Sequence, residues 1–357
     1  MVAIVFNQIF PYRSPVFDLL GPNYTIIYSC VSEPNRKWHP EELHHRHIIL
    51  KERMIRYGWE FFLHVNPDIF SALKKVDPDV VVLYGFGPTQ QMALWWARFH
   101  HRKIVVWTDG WAHTEKDRSK RQLRIHKMFV RHASSCIASS VKGSHYLSSL
   151  GAEKVFISRI AVDNRRFAPS KGKRAFDLIY VAQLMETKCP LFIPELMKEL
   201  PGKRLLIIGD GPLATEMLTR LKRQKVDFVH YRFIRWEDMH LYYQQAKLCI
   251  LPTIFDHWGV VANEALAAGC PVITTEYAGC AGELVQHGWN GAVEKLMIPH
   301  LWTRPMKELL KKKYSDAAIE SVSAYTFEHS AQAIRDAVAE AGKEILYRDT
   351  REVYEQD

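Results

Sequence analysis

The sequence predicts an α/β protein of two domains, each built on a parallel sheet. Three observations carry that prediction. At 357 residues the chain exceeds the usual size of one hydrophobic core. Short apolar runs alternate with helical stretches through both halves, the order that parallel sheets require. Between the halves lies PSKGK at 169–173, a small, polar, turn-forming stretch. The expected domains are 1–170 and 171–326, followed by a helical segment at 327–357.

Taken in order, the first half places strands at 3–6, 25–30, 80–84, 104–107, 136–138 and 155–160. The second repeats the theme at 177–181, 204–208, 228–231, 248–251 and 272–274. The opening MVAIVFNQIFPYR has no basic residue ahead of its apolar run, so it reads as a first strand and not as a leader. No short repeat or low-complexity tract interrupts the pattern. The last segment, 327–348, reads as a helix.

A hydrophobic fraction of 47% beside 24% charged residues belongs to a soluble folded chain and excludes a disordered one. No apolar run approaches the roughly 20 residues of a membrane helix. The six cysteines show no CxxC pair or zinc spacing, which points to a reducing, cytoplasmic home.

The net charge of +9 is uneven. Residues 1–172 hold 25 Lys and Arg against 14 Asp and Glu, and the remainder 23 against 25. Within the densest part, KDRSKRQLRIHKMFVRHA has helical character, with Leu123, Ile125, Met128, Phe129 and Val130 as its apolar members. Such a helix either lies on an anionic membrane surface or packs inward and leaves a solvated basic face. No nucleic-acid module accompanies the charge, so no nucleic-acid partner is expected.

The chemistry concentrates in 255–291, FDHWGVVANEALAAGCPVITTEYAGCAGELVQHGWNG. Gly259 marks the passage from loop to helix, while Gly269 and Pro271 stop that helix. Its first-turn amides, at Gly259, Val260 and Val261, lack intrahelical acceptors, and Gly259 lets a ligand approach the backbone. That end is therefore an anion site of the kind that takes phosphate. Asp256 lies just before it and Glu264 projects about one turn further on. One carboxylate is set toward a sugar and the other toward a ribose, on either side of a diphosphate. Taken singly, Asp256 reads equally as a loop or capping residue, and Glu264 as a solvated helix residue.

With these residues in place, the stretch resembles glycosyltransferase family 4, the retaining enzymes of the GT-B fold that use nucleotide-activated sugars. The family signature is an acidic residue, seven residues, Glu-Ala, a small-residue helix, Gly-x-Pro-Val and a later loop ending in Asn-Gly. Here it runs through Asp256, Gly259, Glu264, Ala265, Gly269, Pro271, Val272, Gly279, Glu283, Asn290 and Gly291. Many members carry Glu first, so Asp256 is one methylene shorter at the same charge. The resemblance implies two Rossmann-like domains facing a central cleft, the first binding acceptor and the second the nucleotide-sugar. It also implies a C-terminal helix that crosses back to the first domain.

Ligands of open α/β sheets bind beyond the carboxyl ends of the strands. The family usually shows Gly-Arg or Gly-Lys, four residues and Lys at the first such junction, then Gly-x-Gly-Pro at the next. Lys188 matches, as do Gly209, Gly211 and Pro212. Ala182 and Gln183 do not, and an amide lacks the charge that roughly doubles a hydrogen bond's strength. Arg232, near the nucleobase pocket that the resemblance implies, is a candidate for the missing cation.

The first domain is less explicit about its ligand. PYRSP sets Tyr12 and Arg13 over the cleft, although the usual family glycine pair is missing. GFGPTQ at 85–90 offers amides to an acceptor phosphate, and Gln90 replaces the final Gly of a dinucleotide fingerprint. DGWAH at 109–113 contributes Asp109, Trp111 as a platform for a sugar face, and His113 as an acceptor-side catalytic candidate or else a structural histidine. Asp77 and Asp79 precede their strand and read as a turn, so no catalytic metal and no cofactor are expected.

The resemblance thus implies transfer of a sugar from a UDP- or GDP-linked donor to an acceptor hydroxyl, with retention of configuration. Lys188, with Gln183 and the helix amides, would stabilise the departing diphosphate. Asp256 would orient the donor sugar, and Glu264 would hold the ribose. The basic first half adds the expectation of a lipid-linked or anionic saccharide acceptor in polysaccharide or glycolipid assembly, with peripheral attachment to the inner face of a membrane. Two other readings stand beside this one. A catalytically weak nucleotide-sugar-binding partner protein is favoured by Gln183 and the missing glycine pair, and a GT-B nucleotide-sugar epimerase is opposed by the wording of 256–291.

Overall fold

The structure is a computed structural model that describes the chain except residues 37–41, 58–60, 296–297, 312–313 and 355–357. Two compact units are present: Met1–Ile160 together with Phe327–Asp357, and Ala161–Thr326. The seam falls ahead of the polar turn at 169–173.

In the first unit the strands are β1 (Val2–Phe6), β2 (Tyr24–Tyr28), β3 (His47–Ile49), β4 (Met54–Tyr57), β5 (Phe61–His64), β6 (Val80–Tyr84), β7 (Lys103–Thr108), β8 (Ser135–Ala138) and β9 (Val155–Ile157). Seven of them form a parallel sheet in the order β3-β2-β1-β6-β7-β8-β9, and β4 and β5 pair as a separate antiparallel hairpin. Parallel strands covered on both faces must be apolar throughout, which is why VAIVF and VVVLY carry no alternation. On one face the helices Ile69–Val76, Pro88–Phe99 and Lys120–His132 bury Leu73, Leu94, Ala97 and Phe129. The other face takes the helix Phe327–Tyr354. Its Ala331, Ile334, Ala337, Val338 and Ala341 recur at three- and four-residue spacing and pack on Ile4, Val82 and Val105.

The basic helix Lys120–His132 starts in a capping box. The Gln122 amide donates to the Ser119 hydroxyl and the Ser119 amide donates to Gln122 Oε1. Phe129 and Val130 are buried, and Ile125 and Met128 pack against the same core. Of the two expectations for this helix, its apolar side is committed inward.

The second unit holds β10 (Phe176–Val181), β11 (Leu205–Ile208), β12 (Phe228–Tyr231), β13 (Ala246–Leu251), β14 (Val272–Thr275) and β15 (Gly291–Glu294). They lie in the order β12-β11-β10-β13-β14-β15, with every neighbour parallel. Strand order reverses between β10 and β13. In an open α/β sheet that switch point leaves a crevice outside the carboxyl ends of the two strands.

Candidate active site

The loops leaving β10 and β13 meet at that crevice. After β10 the chain makes a single 3-10 turn, Glu186–Lys188. The Tyr180 hydroxyl donates to the Lys188 carbonyl at 2.7 Å, while the Thr253 hydroxyl and the Ile254 amide donate to the Thr187 carbonyl at 2.8 and 3.0 Å. These bonds fix the backbone that carries Lys188. Its Nζ donates to Asp256 Oδ2 at 2.6 Å and to the Phe255 carbonyl at 3.1 Å, and the other oxygen of Asp256 accepts the Trp258 amide at 3.2 Å. Burial pushes the Asp256 carboxyl up, but the Lys188 charge, its hydrogen bond and the Trp258 amide outweigh burial and hold it below the ordinary range. Asp256 is accordingly ionised at neutral pH.

The Asp256 loop is seated against 278–280. The Gly279 amide donates to the Asp256 carbonyl at 3.2 Å and the Cys280 amide to the Trp258 carbonyl at 2.8 Å. A Cβ at 279 would stand 1.9 Å from the His257 carbonyl oxygen, so this approach requires glycine. Gly259 then takes a left-handed φ of 96° and the helix Val260–Ala267 begins. Trp258 is buried, and its indole N–H donates to Asn263 Oδ1 at 2.6 Å, which pins the loop to the helix's first turn. The amides of Val260 and Val261 open that turn, where no intrahelical acceptor reaches them.

Glu264 is not the solvated helix residue of the simpler reading. It is 7% exposed and accepts the Tyr243 hydroxyl at 2.7 Å. Burial pushes its carboxyl up to about 7, against the opposing pull of Tyr243 and Trp236.

On the adjoining loops, a Cβ at Gly209 would lie 1.8 Å from the Ala182 carbonyl oxygen and one at Gly211 2.6 Å from that of Leu184. The two loops therefore run backbone against backbone, joined by the Leu184 amide donating to the Asp210 carbonyl at 2.9 Å. Half-buried Gln183 rides on this junction. Arg232, the candidate extra cation, is 76% exposed and pairs with this same loop: its Nε and Nη2 donate to Asp210 Oδ2 at 3.1 and 2.8 Å. Lys188, Asp256 and the Gly259 turn thus form one bonded group, and Gly209, Asp210, Gly211 and Arg232 form another.

In the first unit, Arg13 differs from the expectation that it stands with Tyr12 over the strand ends. It is 1% exposed. Its Nη2 donates to Asp109 Oδ1 at 3.2 Å and to the Ser139 hydroxyl at 2.8 Å, and the guanidinium lies 4.8 Å from the Trp107 ring centre. The Tyr84 hydroxyl donates to Asp109 Oδ2 at 2.5 Å, so Asp109 is the hub of a network and not an open acid. Trp111, expected as a sugar platform, is also buried, with Lys142 Nζ 4.5 Å above its ring and His113 stacked at 5.3 Å. Tyr12 and His113 are half-buried. Gln90 is buried and donates to Asn7 Oδ1 at 2.8 Å, tying the loop after β1 to the helix after β6.

Sequence reasoning missed Tyr243, Tyr84 and Ser139. Tyr84 alone left a signal, a hydroxyl at the end of the apolar run VVVLY.

Residues 175–312 match the family described as Glycosyl transferases group 1. A glycogen synthase of Mycobacterium tuberculosis is 26% identical over 186 residues, which cover 48% of this chain and 44% of that one. A D-inositol 3-phosphate glycosyltransferase of Mycobacteroides abscessus is 25% identical over 183 residues, 48% of this chain and 41% of its own. The match spans less than half the length of these curated relatives. The structure of Anabaena HepE in complex with UDP superposes with a TM-score of 0.74 over 95% of this chain and 100% of that one, at 14% identity. The match to Glycosyl transferases group 1 thus lies within the second unit, on a chain of GT-B-type fold.

Proposed function

We propose that this protein transfers a sugar from a nucleoside diphosphate, UDP- or GDP-linked, to an acceptor hydroxyl with retention of configuration. The observation that carries the reading is the Lys188–Asp256 pair, 2.6 Å apart at the switch point and joined to the Gly259 turn. The arriving diphosphate displaces Asp256 from Lys188 and takes its place, with the Val260 and Val261 amides on its other side. Negative charge developing on the leaving group is then met by a fixed cation and fixed dipoles. Asp256, released, turns to the donor sugar's hydroxyls and to positive charge at the anomeric carbon. The departing diphosphate accepts the acceptor's proton on the same face, so the scheme asks for no separate protein base and no metal. Glu264 holds the ribose, and His113 stands with Tyr12 on the acceptor side.

HepE is described in complex with UDP, which supports UDP as the first donor to test. The excess positive charge of residues 1–172 supports an anionic or lipid-linked acceptor at an inner membrane surface. Among the described residues no helix is long and apolar enough to cross a membrane.

Thermal-shift titration with UDP, GDP, ADP and dTDP tests the reading, because a ligand bound only to the folded state raises the melting temperature by mass action. One nucleotide is expected to shift it, and that shift to disappear in Glu264→Ala. The anomer formed in transfer then checks retention. No shift with any nucleotide would overturn the donor site, whereas a shift without transfer or hydrolysis of the donor would favour the nucleotide-sugar-binding partner protein, which the uncharged Gln183 supports.

A further inference from the structure

The first unit carries an exposed aromatic cluster that its own core does not use. Phe99 is 81% exposed, Trp95 53% and Phe70 43%, and with Trp96 and Arg98 they line one open cavity of about 580 Å³ between the helices Ile69–Val76 and Pro88–Phe99. Folding normally hides side chains of this size, and a contiguous exposed cluster marks a contact surface.

Its neighbour identifies the contact. The basic helix Lys120–His132 ends against this cluster: Arg98 Nη1 lies 2.9 Å from His132 Nε2, and the Trp95 and His132 rings are 6.5 Å apart. Because Phe129 and Val130 fix that helix on the core, its outer face is determined. Lys120, Arg124, Lys127 and Arg131 follow one another at three- and four-residue spacing along it, all exposed, and the helix has no acidic residue. Lys74 and Lys75, exposed in the last turn of Ile69–Val76, add charge beside Phe70. Tryptophan and phenylalanine that reach the acyl boundary, among lysines and arginines that meet phosphates, are the composition of an interfacial membrane contact.

We infer that Phe70, Trp95 and Phe99 insert into an anionic phospholipid surface while the Lys120–Arg131 stripe binds its headgroups. This rests on the membrane attachment proposed above and assigns it a surface. The basic helix is only the electrostatic half of the contact, and the apolar half comes from a different helix.

The test is co-sedimentation of the full chain with vesicles of phosphatidylcholine alone and of phosphatidylcholine mixed with phosphatidylglycerol, at low and high salt. Retention is expected on the mixed vesicles only. Arg124→Gln with Lys127→Gln should weaken partitioning about 30-fold, since each charge contributes about fivefold near such a surface. Trp95→Ser with Phe99→Ser should weaken it by at least about tenfold and leave the salt dependence intact. All four side chains are exposed, so melting temperature and nucleotide shift should not change. A wild-type chain that ignores anionic vesicles overturns membrane attachment itself. Retention unchanged in Trp95→Ser with Phe99→Ser overturns the aromatic assignment alone. A concentration-dependent dimer abolished by that variant assigns the patch to a second copy and overturns the lipid reading. The nucleotide shift, scored in parallel, reports on the donor site independently of all three.

Discussion

Replacing Glu264 with Gln gives the sharpest prediction about the second unit. The carboxyl stands at about 7 in the folded chain against an ordinary value of 4.5, raised by burial beside Tyr243. The folded state therefore holds this proton between pH 4.5 and 7, where the unfolded chain has released it. Stability must fall as pH rises through that window and level off above it. At 1.36 kcal/mol per pH unit the loss is about 3 kcal/mol. Glutamine keeps an acceptor for the Tyr243 hydroxyl without the charge. Glu264→Gln should match the wild type near pH 4.5 and exceed it by about 3 kcal/mol at pH 8. Urea unfolding at intervals between those limits measures the difference, and acidic groups common to both proteins cancel. Curves that stay parallel would refute the claim that burial governs this carboxyl. If Glu264 holds the ribose as a carboxylate, donor binding has the opposite slope: affinity rises with pH toward 7 in the wild type and stays flat in Glu264→Gln.

Further predictions concern charged pairs, one half-buried and one holding a fully buried arginine. Lys188→Ala should lower kcat about 10²- to 10³-fold, as removal of one preorganised donor facing a developing anion does elsewhere. Combined with Asp256→Ala in a cycle, it should show a stability coupling of about 1–3 kcal/mol, and additive effects would mean that the 2.6 Å pair is not an interacting unit. Asp109→Ala strands the Arg13 guanidinium in the core and should cost about 3–5 kcal/mol, measured by chemical denaturation. A loss under about 1 kcal/mol, the size of an exposed pair, would show that Arg13 reaches solvent.

The central strands were legible because a parallel sheet buried on both sides demands unbroken apolar runs, and IVVW, LLII and LCIL supply them. β3 is three residues long with two exposed, and β4 and β5 form a hairpin outside the main sheet, so neither produced such a run. The Asp256 to Glu264 spacing could be read because a loop and one helix fix it locally. What the carboxylates touch could not. Tyr243 lies 21 residues from Glu264, and Ser139 lies 126 from Arg13, distances that only the folded topology closes. Arg13 and Trp111 follow strand ends, which is where ligands bind, but position after a strand does not say whether a side chain turns outward or into the core. The basic helix drew attention by its charge, whereas Trp95 and Phe99 sit in ALWWARF, a string that reads as ordinary core.

The interlocked loops at Ala182–Leu184 and Gly209–Gly211 bear on how this site could change over generations. With carbonyl oxygens occupying the space of any side chain at 209 or 211, neither loop has room to drift, and the two must be inherited together. Gln183 sits between Ala182 and Leu184, the two residues whose carbonyl oxygens make those approaches. Exchanging the amide there for arginine alters charge and reach while the backbone stays put, so one codon separates two electrostatic versions of the same cradle.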